Sequence, residues 1–123
     1  MGTDLYLFRL NKTDTIDLTD LFGKHRDDGV AYWRKADYIY DFFYKHLYKK
    51  VDEDSNIPKQ VSKELLLLLQ EKCRKFVERY KQNDYNQFPS KEYRVCLDTI
   101  TIIDDVLETT DFDDEVLWYV PIL

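Results

Sequence analysis

Asp98-Thr99-Ile100-Thr101-Ile102-Ile103-Asp104 is the stretch on which the fold turns. Its unbroken run of β-branched residues favours a strand, because two heavy atoms on Cβ restrict χ1 and fit a pleated surface. The surroundings argue the other way. Tyr93, Cys96, Leu97, Ile100, Ile103 and Leu107 step by three or four residues and so lie along one side of a helix, and the segment closes in acids rather than turn residues. Ser90 stands where an N-cap accepts a free backbone N–H. The stretch is therefore read as the middle of a helix.

Upstream, Ser62 opens a second helix with Leu66, Leu69, Cys73, Phe76 or Val77, and Tyr80 on one stripe, ending near Asn83; Asp84 to Pro89 connect the two. A third helix is expected from Val30 to about Lys49, where Trp33, Ala36, Tyr40, Phe43 and Leu47 share a stripe. Asp27 and Asp28 suit its N-terminus, and Lys45, Lys49 and Lys50 its C-terminus, through the helix dipole. Residues 11–29, with one turn near Leu18 to Phe22, and residues 51–60 read as loops.

The two ends of the sequence differ from this pattern. Asp4-Leu5-Tyr6-Leu7-Phe8-Arg9-Leu10 is apolar on both alternating faces, and Val116-Leu117-Trp118-Tyr119-Val120, closed by Pro121, is similar in length and composition. Two such strands pair most simply with each other. The expected fold is α+β and mainly helical: about three α-helices packed on a small antiparallel sheet formed by the N- and C-terminal strands, in a single domain over residues 1–123.

Composition agrees. A chain of 123 residues can bury roughly two-thirds of its unfolded surface without disulfides or metal. Ten Tyr, seven Phe and two Trp supply the apolar area that disordered chains lack, while only three Gly and three Pro favour long helices over many tight turns. The net charge of −6 excludes general attraction to nucleic acid or anionic lipid. Cys73 and Cys96 read as small core residues of a reduced, cytoplasmic protein, and no apolar run approaches the ~20 residues of a membrane span.

Tyr32-Trp33-Arg34-Lys35-Ala36, followed by Asp37, Ile39, Tyr40 and Phe42-Phe43, resembles the signature of a small-protein family of bacteriophages and prophage regions. Met1-Gly2-Thr3-Asp4-Leu5-Tyr6-Leu7 is similar to the strand with which its members begin. The resemblance implies a phage or prophage setting and no particular chemistry. Where the family pattern has Asn, His and a second Trp, this chain has Asp37, Tyr40 and Phe42, so a stacking or packing role carries over better than one needing an imidazole.

Two features are candidate binding surfaces. Trp, Tyr and Arg dominate binding hot spots, and Trp33 and Tyr40 are expected on one helix face, beside Arg34 and Lys35, with Trp118 as a further aromatic anchor. The bland alternative is that the rings fill the core and the cations are solvated. Asp104, Asp105, Glu108, Asp111, Asp113, Asp114 and Glu115 form an acidic tract without Lys or Arg, read either as a face for a basic partner or as a solvated helix end. It lacks the alternating ligands and glycine of a calcium loop. His25 and His46 have no Cys or His at zinc-ligand spacing, and no cofactor motif is present.

The reading that follows is a non-enzymatic phage or prophage protein that binds a bacterial host protein and inhibits a defence system. One alternative is a nucleotide sponge, with Trp33 or Tyr40 stacking on a base and Arg34 or Lys35 on phosphate. Another is a structural protein that forms a homodimer or larger oligomer through an exposed strand Val116 to Val120.

Overall fold

Large apolar side chains at four successive positions, Leu5 to Phe8, point to both sides of an extended chain, so strand β1 (Asp4–Asn11) buries Leu5 and Leu7 on one face and Phe8 and Leu10 on the other. The computed structural model describes residues 4–13, 28–48, 58–82 and 90–122. These contain β1, β2 (Gly29–Arg34), α1 (Asp37–Leu47), β3 (Lys59–Val61), α2 (Lys63–Gln82), α3 (Lys91–Thr109) and β4 (Glu115–Ile122). The fold is α+β, with three helices and an antiparallel sheet that includes both terminal strands. Met1 to Thr3, the turn near Leu18 to Phe22, His25, Asp27, Lys49, Lys50 and the loop segments 51–57 and 83–89 lie outside the described residues.

Two compact units are formed. The first joins the described residues up to Ser62 with those from Thr110 onward. Its sheet has the order β2-β1-β4-β3, all antiparallel. Directly paired residues share a face. Leu5 therefore lies beside Trp33 and Pro121, and Leu7 beside Ala31 and Tyr119, while Val61 of β3 adds to the same side opposite Leu117. Helix α1 covers this face: Phe43 stacks on Tyr119 at 4.2 Å between ring centroids and lies 6.2 Å from Trp33. On the other face Phe8, Leu10 and Val120 are buried, with Tyr6, Val116 and Trp118 packed against them. There the Tyr32 hydroxyl donates to Asp4 Oδ1 at 2.9 Å, and the carboxylate holds the phenol above its usual range.

The structure corrects the helix expected from Val30 to Lys49. Gly29–Arg34 is a strand paired to β1, and helix begins only at Asp37. Val30, Tyr32 and Trp33 are strand formers, and their alternation beside β1 prevails over the three- and four-residue spacing. Lys35 makes the corner with φ of 52°, in the left-handed region. The N-terminal acid of the helix is consequently Asp37, not Asp27 or Asp28. The sheet is also larger than expected, since β2 and the short β3 flank the terminal pair. β4 continues through Pro121 to Ile122; β3 stops opposite Tyr119, so the missing proline N–H costs no bond to it.

The second unit, Lys63–Thr109, is the pair α2 and α3. Residues 99–103 are helical, as their flanks imply. The buried Thr99 hydroxyl donates to the Val95 carbonyl at 2.7 Å, which satisfies its polar group within the helix. Ser90 Oγ accepts the Tyr93 N–H at 3.2 Å as the cap of α3, and Ser90 N donates to Tyr80 Oη at 2.8 Å. Between the helices the buried Gln70 amide donates to Ile100 O at 2.9 Å and to Asp104 Oδ1 at 2.6 Å. Cys73, Cys96, Leu66, Leu69 and Ile103 are fully buried.

Candidate functional site

β1 is longer than the strand beside it, and a cavity lies where its neighbour ends. Pairing with β2 stops at Phe8 opposite Gly29, whereas β1 runs on along β4 until Asn11 faces Glu115. The register shifts between Leu7 and Phe8, so that Gly29 and Val30 together oppose Phe8, an insertion that bends a strand at its end. Beside this bulge opens a cavity of about 310 Å³, walled by Arg9, Leu10 and Asn11 of β1, Asp28, Gly29 and Val30 of the entering chain, and Glu115 of β4.

Arg9 and Glu115 share a face of the sheet, since Arg9 pairs with Leu117 and Glu115 lies two residues before it. Arg9 Nε is 3.6 Å from Glu115 Oε2, and its Nη1 donates to Thr110 Oγ1 at 3.2 Å. The other oxygen of Glu115 accepts the Asp111 N–H at 2.8 Å. Asp111 in turn builds the corner between α3 and β4. Its Oδ1 accepts the Asp113 N–H at 3.0 Å, and its carbonyl accepts the N–H groups of Asp114 and Glu115 at 3.1 and 2.7 Å. Lys12 N–H donates to Asp114 O at 2.9 Å, which ties the corner to the end of β1. The cavity thus presents one guanidinium, two carboxylates and main-chain groups, a set suited to holding a ligand by ion pairs and hydrogen bonds. Among the described residues no group of His, Cys, Asp or Glu is arranged to hold a metal ion.

The aromatic and basic candidates occupy four different settings. Trp33 is buried in the sheet face under α1. Arg34 and Lys35 are exposed at the end of β2 and at the corner after it. Tyr40 is half-buried on α1, stacked on Tyr44 at 5.9 Å, so Trp33 and Tyr40 do not share a helix. Trp118 is on the sheet face opposite to Trp33, paired with Phe8, and its buried Nε1 has no hydrogen-bond partner among the described residues. Val116 to Val120 is not a free edge, because β4 runs between β1 and β3.

The acidic tract divides. Asp104, Asp105 and Glu108 are exposed on α3, where Asp104 accepts from Gln70 and lies 3.9 Å from Arg74. Asp111, Asp113, Asp114 and Glu115 belong to the corner beside the cavity. Glu115 was legible as part of the tract; Arg9 and Asp28 were not singled out as site residues. The signal for Arg9 was present, a lone cation within the apolar run Leu5 to Leu10 and on the same alternation as Leu5 and Leu7. Among the described residues no helix is long and apolar enough to cross a membrane. No family model, no curated protein and no solved structure matches this chain.

Proposed function

We propose that this protein is a non-enzymatic accessory protein of a phage or prophage, acting in the bacterial cytoplasm, and that it binds a basic surface of a host protein as an inhibitor of a defence system. The contact is assigned to the corner between α3 and β4 and the cavity beside it. The observation that carries the reading is the fixed presentation of charge there. Asp113 and Asp114 are exposed and make no ion pair among the described residues, while their main chain is held by bonds to Asp111 and Lys12. A prearranged anionic corner loses little conformational entropy on binding and speeds encounter with a cationic partner. The phage setting rests on the resemblance of the Tyr32 to Phe43 segment.

The test is retention of bacterial proteins on the immobilised chain and on its Asp113→Asn/Asp114→Asn variant. A basic protein held at low salt, released as salt rises and lost with the double substitution supports the reading. A partner held equally by both forms, or a stoichiometric nucleotide bound instead, overturns it.

A further inference from the structure

Cys73 of α2 and Cys96 of α3 are both fully buried, at one level of the helix pair. Contacts on either side set this register: Gln70 Nε2 bonds to Ile100 O at 2.9 Å, and the Tyr80 ring stacks on Tyr93 at 4.5 Å. Cys73 lies one turn after Gln70, and Cys96 one turn before Ile100, so the antiparallel helices bring them level. Both are free thiols with no exposed surface.

We propose that Cys73 and Cys96 are a peroxide-responsive pair that closes a reversible disulfide between α2 and α3. The Cys96 thiol beside it, and next burial, push the Cys73 thiol above the ordinary thiol range. Cys73 in turn draws Cys96 down, against burial and the nearby charge of Glu92. Within this pair we assign the attack to Cys96 and the resolution to Cys73. The Cys96 thiolate attacks one oxygen of hydrogen peroxide, the O–O bond breaks, and the leaving hydroxide takes a proton from solvent to become water. Cys73 then attacks the resulting sulfenic acid; the S–O bond breaks and the departing hydroxide removes the Cys73 proton as a second water. Two thiols are oxidised and one peroxide is reduced. Peroxide is small and uncharged, as access to a buried pair requires, and in the cytoplasmic setting proposed above a sensing pair is the usual form of disulfide.

The experiment exposes the folded protein to hydrogen peroxide, unfolds it in an alkylating reagent and measures its intact mass. A monomer that has lost two hydrogens, takes up no alkyl group, yields a linked Cys73–Cys96 peptide and reverts with dithiothreitol is expected. Its melting temperature should rise by about 5 °C or more, because a crosslink restricts the unfolded chain. In Cys73→Ser the Cys96 sulfenic acid should persist and be trapped by dimedone. Two free thiols after treatment, Cys96 carried to sulfinic acid beside a reduced Cys73, or a bridge only between chains would each overturn the proposal. The wild-type mass decides these outcomes even where a variant fails to fold.

Discussion

Phe43 lies nearly parallel to Tyr119, with 26° between ring planes and 4.2 Å between centroids, and Tyr48 meets the same tyrosine edge-on at 6.4 Å. The Tyr119 hydroxyl is enclosed by this packing with no hydrogen-bond partner among the described residues. A buried hydroxyl without a partner carries a desolvation cost, so the ring is stabilising where its oxygen is not.

Replacing Tyr119 by Phe should therefore raise stability, by about 1 kcal/mol. It should also change the alkaline limb. Burial, and next the neighbouring Tyr48 and Tyr40, push the phenol well above its ordinary value of 10.0. The unfolded chain releases this proton near that value while the folded chain keeps it, so wild-type stability falls as pH rises beyond it. Urea unfolding from pH 9 to 11 should show wild type losing up to about 1.4 kcal/mol per pH unit more than Tyr119→Phe. Equal slopes would mean that the hydroxyl is not confined.

Lys35 holds a left-handed backbone at the corner between β2 and α1. That conformation costs an L-residue about 1–2 kcal/mol, part of which glycine gives back through its greater freedom when unfolded. Lys35→Gly should thus gain up to about 1 kcal/mol in thermal melts, and Lys35→Pro, whose φ is fixed at negative values, should lose more than that.

At Gln70 the amide is buried between two helices, whereas Asp104 and Arg74 are about half or more exposed and 3.9 Å apart. Gln70→Ala should cost about 2 kcal/mol, from the lost bonds and the space left behind. Asp104→Asn keeps an acceptor for Gln70 and weakens only a solvated ion pair, so its effect should stay within about 1 kcal/mol. Chemical denaturation of both variants checks the contrast.

Glu115 has two tasks that substitution separates. Glu115→Gln retains an oxygen for the Asp111 N–H but removes the charge facing Arg9; with both side chains about one-quarter exposed, the loss should be about 1 kcal/mol or less. Glu115→Ala removes the acceptor too. Amide hydrogen exchange at Asp111 should remain slow in the glutamine variant and quicken in the alanine variant.

These elements differ in how plainly they are written in the residues. β1 and β4 are legible because dense apolar runs at Leu5 to Phe8 and Val116 to Val120 fit a strand buried on both faces. α3 is legible because its spacing outlasts the β-branched run, and Thr99 meets its own hydrogen-bond need within the helix. β2 is not, since Trp33, Ala36 and Tyr40 happen to keep helical spacing across the corner at Lys35. β3, only Lys59-Gln60-Val61, is too short to carry a period. The cavity was hidden for another reason: Arg9, Asp28 and Glu115 come from three places in the chain, and only pairing brings them together.

The sheet order sets a schedule for synthesis. β1 is made before the other described elements, yet its neighbour in the middle of the sheet, β4, comes after them, with the α2 and α3 unit made in between. Until Leu117 and Tyr119 leave the ribosome, Leu5 and Leu7 lack one of the two strands that flank them. The helical pair can form from local contacts before β4 is made, whereas the sheet closes only once β4 is available, by a contact of long sequence separation of the kind that slows folding.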